Sequence, residues 1–271
     1  MTSPTLVACD LDRTLIYSKS ALWLEGADKD APAMVVAEVY DGAPLSFMTL
    51  AAQQLLGAVK ESATFVPATT RTQAQYERVQ LPGPVPEYAI TSNGGVLLHH
   101  GVPDAQWNAK LSALMAESCA PLETIEAHLS KPEFSAWILR LRRAEDLFAY
   151  AIIDRDLMPD SFVAELEELC AEAGWSVSVQ GRKLYCVPAP INKADALAEV
   201  ARRTGAASVI AAGDSLLDQG MLELAHVAFR PIHGELHDAG FAASHLRLTS
   251  VRGILAGEEM LREILAEVTA A

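Results

Sequence analysis

Short apolar runs alternate with amphipathic stretches at both ends of this chain. Leu6 to Cys9 is an unbroken apolar run of strand length, and residues 64–68 (TFVPA), 88–91 (YAIT) and 208–212 (SVIAA) repeat the pattern. Between them, Leu50, Leu55 and Val59 fall at helical spacing and predict a helix over 49–59. Thr72 is placed to cap another helix running to about Gln80. Ala196, Leu197 and Val200 predict a helix over 192–204, with shorter helices near 221–225 and 258–268 and a short strand over 227–229. The valine-rich run from Met34 to Tyr40 and the run from Pro44 to Met48 flank Asp41-Gly42, a hairpin signal.

The middle of the chain has a different rhythm. Residues 107–129 predict helix with a break at Ala120-Pro121. Strands are predicted over 136–141, 148–154, 175–179 and 184–187, the last two joined by the tight turn QGRK. A helix over 159–173 has Pro159 in its first turn and Gly174 just past its end. Strand–helix alternation at both ends implies a parallel sheet covered on both faces. The expected architecture is therefore α/β, with a core formed by residues 1–95 and 188–271 and an inserted α+β domain at 96–187.

In open α/β sheets, sites form at the carboxyl ends of the strands. The polar clusters all fall there: Asp10 to Thr14, Thr69 to Thr72, Ser92 to Gly95 and Gly213 to Asp218. Composition narrows what they do. Of 271 residues, 51% are hydrophobic, enough for a sizeable core, and the formal net charge of −14 opposes nucleic-acid binding. A small anionic substrate is still compatible, because local lysines and arginines override the overall field. The four cysteines, Cys9, Cys119, Cys170 and Cys186, form no close pair and read as reduced core thiols. The first residues lack a signal-peptide pattern and no apolar run has membrane-span length, so a cytoplasmic protein with no membrane association is expected.

Asp10 and Asp12 follow the first strand, and Asp214 and Asp218 follow a strand far along the chain. Carboxylates converging in one pocket raise each other's pKa unless a cation offsets them. Mg²⁺ suits such oxygen ligands and a substrate phosphate. In that setting one carboxylate can attack phosphorus while a second moves protons. Thr69, Thr70 and Lys193 can supply hydroxyl, backbone N–H and ammonium to the phosphoryl group. The residues alone do not say which aspartate has which task.

Four segments, in order, resemble the motifs of the haloacid dehalogenase-like phosphohydrolases: DLDRT, Thr69 at the end of FVPAT, Lys193 in INKADAL, and GDSLLD. The large insert between the second and third resembles the cap of the Cof-type and sugar-phosphate phosphatase branch, and Asn93 in TSNGG resembles the Asn-Gly before that cap. The resemblance implies a Rossmann-like core with a substrate-selecting cap, and a Mg²⁺-dependent phosphatase. It implies Asp10 as nucleophile and Asp12 as general acid/base. Thr69, the Thr70 amide, Lys193, Arg71 and Asn93 would lie at the phosphate or substrate. Mg²⁺ would sit on the Asp10 side chain, the Asp12 carbonyl oxygen and Asp214, with Asp218 close by.

Three residues depart from the pattern. Arg13 and Thr70 stand where glycine is usual, and Leu217 replaces an asparagine. Arg13 either restricts or recognises substrate or points outward. Other polar residues carry open alternatives too. Arg140 and Arg142 are expected to share a strand face with Ile138, binding a second anionic group of the substrate or lining a solvated sheet, and Arg182 and Lys183 have the same two readings. The hairpin around Asp41-Gly42 is either a mobile flap or an edge. His233 and His237 read as a solvated loop or helix face, and His99-His100 as part of a surface hairpin. The resulting expectation is a phosphatase for a small phosphorylated metabolite, a sugar or polyol phosphate first. The alternatives are a nucleotide or other phosphate-ester phosphatase, a phosphomutase, or a non-catalytic phosphometabolite-binding protein. Oligomeric state is left open.

Overall fold

A computed structural model describes residues 4–270. The chain forms two compact units, one comprising the residues up to Pro103 and from Lys193 onward, the other Asp104–Asn192. The first is built on a five-stranded parallel sheet in the order Leu246–Leu248, Val227–Arg230, Ser208–Ala212, Thr5–Cys9, Thr64–Pro67. Thr5–Cys9 lies inside the sheet, and Leu6, Val7, Ala8 and Cys9 are all fully buried. Both faces are covered, which is why this run is apolar without alternation. Val7 and Cys9 pack with Leu56 and Val59 of helix Leu50–Ser62 and with Met260, Leu261 and Ile264 of helix Ile254–Ala270.

Two local outcomes bear on the site. Asp41 (φ 51°) and Gly42 (φ 73°) both take left-handed backbone between Met34–Tyr40 and Ala43–Thr49, as a tight two-residue hairpin requires. The helix after Thr72 is only one turn, Gln73–Tyr76, although Thr72 and Gln75 form a complete capping box. It stops because the chain is drawn onto the hairpin: Val79 bridges to Glu38, and the Gln80 N–H donates to the Ala37 carbonyl at 2.7 Å.

Tyr88–Thr91 pairs antiparallel with Val96–His99 and joins the core sheet through a parallel bridge between Ala68 and Ile90. Residues 96–103 therefore belong to the first unit, and the division falls at Pro103/Asp104 and Asn192/Lys193 instead of 95/96 and 187/188.

The second unit is α+β. Its antiparallel sheet runs Trp175–Gln180, Lys183–Pro188, Phe148–Ile153, Ile138–Ala144. Helices Ala105–Ser118, Leu122–Leu129 and Phe162–Glu172 accompany it, the first two separated at Cys119–Pro121. Arg140 and Arg142 pair across from Ile152 and Tyr150, on the opposite face from Leu141 and Arg143. Ile138 does not share their face. Arg140 pairs with Ile152 but Ile138 with Ile153, so Leu139 is an extra residue and the alternation flips there. All four cysteines are free thiols. Among the described residues no helix is long and apolar enough to cross a membrane.

Candidate active site

The adjacent strands Thr5–Cys9 and Ser208–Ala212 end level with each other, Cys9 opposite Ala212. Their next residues therefore emerge side by side. The Asp10 N–H donates to the Ala212 carbonyl at 2.9 Å, and Asp214 follows Gly213. Lys193, first residue of helix Lys193–Thr204, is fully buried and ties the two ends together. Its Nζ donates to Asp10 Oδ1 at 2.7 Å and to Asp218 Oδ1 at 2.6 Å. The second oxygen of Asp218 accepts from the Asp214 N–H (3.1 Å), the Ser215 N–H (2.9 Å) and the Ser215 hydroxyl (2.8 Å). Asp218 thus shapes the loop that carries Asp214. Gly213 is required for that wrap, since a β-carbon there would lie 2.5 Å from Cβ of Asp218.

Three buried carboxylates, two of them bonded to one ammonium, leave the pocket formally negative. The electrostatics show the imbalance. Burial pushes the Asp10 carboxyl up to about 7, Lys193 opposes this, and Asp218 and Asp12 add to it. Asp214 is held well above the usual carboxylate range by burial first, then by Asp10 and Asp218, with Arg13 and Lys193 opposing. Burial works against the Lys193 ammonium, but Asp10 and Asp218 outweigh it and the net shift is upward. Oxygens of Asp10, Asp214 and Asp218 lie within 4.8 Å of one another, and among the described residues no hydrogen-bond donor reaches the Asp214 carboxylate. A buried, undercompensated set of hard oxygen donors fits a divalent cation.

Thr69 and Asn93 meet through the backbone. The Asn93 N–H donates to the Thr69 carbonyl (2.9 Å) and the Ser92 N–H to the Arg71 carbonyl (2.7 Å). This docking uses three consecutive residues in left-handed backbone, Ser92 (φ 49°), Asn93 (58°) and Gly94 (97°). Thr69 is fully buried, its Oγ1 accepting from the Arg71 N–H at 3.1 Å, and Thr70 between them is half-buried.

The Arg71 guanidinium is aimed at side chains: both oxygens of Asp12 at 2.7 and 2.8 Å, and Glu38 Oε2 at 2.8 Å. Asp12, exposed at the turn, is not part of the cluster of three buried aspartates. Glu38 is a residue that sequence reasoning missed. It is fully buried in the hairpin at a register irregularity, and it also accepts from Arg78 Nε (3.0 Å) and the Ser46 hydroxyl (3.2 Å). The available signal was a single acid inside the otherwise uncharged strand MVVAEVY.

The fold that carries these residues recurs in solved structures over nearly the whole chain. The sucrose-phosphatase from Synechocystis sp. PCC6803 matches over 97% of this chain and 98% of its own, with 16% identity and a TM-score of 0.64. This is the haloacid dehalogenase-like fold. BT1666 from Bacteroides thetaiotaomicron, a phosphatase of that superfamily, matches over 97% of this chain and 95% of its own (14% identity, TM-score 0.53). The C-terminal domain of C. albicans trehalose-6-phosphate phosphatase covers 97% and 92% (12% identity, TM-score 0.55). No known family profile and no curated protein matches the sequence.

Set in this fold, two of the three departures, Arg13 and Leu217, become concrete. Arg13 has φ 63°, the left-handed backbone that glycine adopts freely, so the turn keeps its shape despite the side chain. Its guanidinium lies over the Trp23 ring, 5.7 Å from the centroid. The Arg13 carbonyl is fixed by His233, whose Nε2–H donates to it at 2.8 Å while Nδ1 accepts from the Gly253 N–H at 3.2 Å. His233 is therefore a buried neutral imidazole and not a solvated residue. Burial pulls it down to about 4, and Tyr17 and Trp23 contact its ring edge-on. Leu217 sits half-buried in the turn Leu216–Asp218, and the neighbouring Leu216 N–H donates to Glu235 at 3.1 Å.

Proposed function

We propose that the protein is a Mg²⁺-dependent phosphatase that hydrolyses a small phosphorylated metabolite, a sugar or polyol phosphate in the first instance. The observation that carries this is the buried Lys193 bridging Asp10 and Asp218 beside a third buried aspartate, Asp214. The sugar-phosphate class is supported by the sucrose-phosphatase and the trehalose-6-phosphate phosphatase that share the fold.

The side chains of Asp10 and Asp214, with the Asp12 carbonyl, would hold the ion and Asp218 would back them. When bound, Mg²⁺ supplies charge neutralisation between these carboxylates and the substrate phosphate. Asp10 presents a carboxylate oxygen, held by Lys193, to the phosphorus. Its attack forms an aspartyl-phosphate and breaks the bond to the leaving oxygen, which takes a proton from Asp12. Asp12 then removes a proton from water, the water oxygen attacks phosphorus, and Asp10 and inorganic phosphate are released. Lys193, the Thr69 hydroxyl and the Thr70 N–H stabilise the phosphoryl oxygens throughout. Arg71 keeps Asp12 beside the site, and the second unit acts as the substrate-selecting cap.

The test is hydrolysis of p-nitrophenyl phosphate and a panel of phosphate esters with Mg²⁺. Turnover by the wild-type chain and its loss in Asp10→Asn is the expected result. Metal binding with no turnover across the panel would refute the reading.

A further inference from the structure

At the far end of strand Tyr88–Thr91 from the Ser92 turn, a second group of metal-ligating side chains gathers at the surface: Glu87, His99 and His100, one donor atom from each within 4.8 Å of the others. Neighbouring residues on a strand point to opposite faces, so a His-His pair there cannot chelate. Here the strand ends at His99, and His100 (φ 49°) and Gly101 (φ 78°) take left-handed backbone. The chain folds back and the two imidazoles come together, centroids 4.4 Å apart and planes at 35°.

The third ligand is set by register. Tyr88 pairs with His99, which places Glu87 opposite His100, and the His100 N–H donates to the Glu87 carbonyl at 2.7 Å. His99 is braced by stacking on Tyr88 at 4.7 Å and 15°. Its Nε2 is 3.7 Å from Glu87 Oε1, and both side chains are about half exposed (43% and 50%), open to an ion from solvent.

We propose that Glu87, His99 and His100 form a surface site for a divalent transition-metal ion of the Zn²⁺ class, separate from the aspartate cluster. Two imidazoles and one carboxylate are the donor set of such an ion, whereas Mg²⁺ prefers oxygen alone. The size is close. Tetrahedral ligands about 2.05 Å from zinc are roughly 3.3 Å apart, so the His99–Glu87 pair needs to close by only a few tenths of an ångström. Small rotations of exposed side chains provide the rest, and the three protein ligands leave a fourth position for water or a partner's donor.

The test is calorimetric titration of the intact protein with ZnCl₂ in saturating MgCl₂, which occupies the aspartate site. The variants are His99→Phe, which keeps the stack on Tyr88, and His100→Asn, which tolerates the left-handed turn. The wild type should bind one Zn²⁺ here. Each variant should weaken that binding at least tenfold while its thermal melt without zinc is unchanged, and Asp10→Asn should bind this Zn²⁺ as the wild type does. Failure of the wild type to bind, or binding unaltered in both histidine variants, overturns the proposal. Loss of phosphatase activity alone would bear on the aspartate cluster and not on this site.

Discussion

Replacing Asp10 by asparagine should make the metal-free protein more stable while ending its activity. The folded state raises the Asp10 carboxyl from 3.8 to about 7, so the folded chain holds that proton more tightly than the unfolded one. Stability contributed by this group then falls as pH rises between those two values. At 1.36 kcal/mol per unit, ionising Asp10 costs the fold about 2 kcal/mol at pH 5 and about 4 kcal/mol at pH 8. The Lys193 contact is already inside that figure, because Lys193 is among the causes of the shift. Asparagine mimics the neutral acid. In EDTA at pH 8, Asp10→Asn should therefore melt higher than wild type by roughly 8–16 °C, taking about 2–4 °C per kcal/mol for a chain near this size. The gap should shrink at pH 5. Adding Mg²⁺ should raise the wild type more than the variant. Differential scanning calorimetry at both pH values, with EDTA and with Mg²⁺, measures all four numbers. If the variant melts at or below wild type in EDTA at pH 8, or the gap does not change with pH, the pocket does not penalise the Asp10 charge and the reasoning fails.

Three other outcomes follow from the same geometry. His233 is held near 4 against an ordinary 6.5, a depressed base whose contribution is present above 6.5 and lost as pH falls toward 4; the loss between pH 7 and 4.5 is about 2 kcal/mol, and urea titrations at those two values should show it in wild type and not in His233→Phe. That variant should itself start about 2 kcal/mol lower at pH 7, since the Gly253 N–H and Arg13 carbonyl lose their partner. Glu38→Gln leaves Arg71 and Arg78 without their shared anion and should cost roughly 3 kcal/mol or more, with kcat on p-nitrophenyl phosphate down at least tenfold as Arg71 loses its placement on Asp12. Arg13→Gly exchanges relief of a left-handed backbone, worth about 1 kcal/mol, for a lost contact with Trp23 of similar size; its Tm should move by less than about 3 °C, while half-saturating Mg²⁺ should fall because a cation near Asp214 is gone.

The parallel sheet and the place of Asp10 and Asp214 at strand ends were legible because they rest on local signals: apolar runs with acids immediately after them, while Lys193 was singled out by its resemblance to a motif lysine. What was not legible depends on partners distant in sequence. The run after Thr72 has good capping and still forms one turn, because Val79 and Gln80 bond to the hairpin. His233 looked polar and solvated, yet Arg13, Gly253, Tyr17 and Trp23 enclose it. Arg71 carries the motif's arginine, but its geometry depends on Glu38 from the hairpin, and no spacing rule connects residues 33 positions apart. A single extra residue at Leu139 was enough to move Ile138 to the other sheet face.

Asp218 has a consequence for how this site can vary over evolutionary time. One of its oxygens serves Lys193, the other forms the loop of Asp214 and Ser215, and its methylene leaves no room for a β-carbon at residue 213. Lysine placement and loop shape are therefore drawn from one carboxylate. In a comprehensive mutational scan, Gly213, Ser215, Asp218 and Lys193 should behave as one epistatic block, in which a second substitution adds little to the damage of the first. Leu217, in the same turn but without a polar contact, should vary independently, and drift there is free to tune the site without dismantling it.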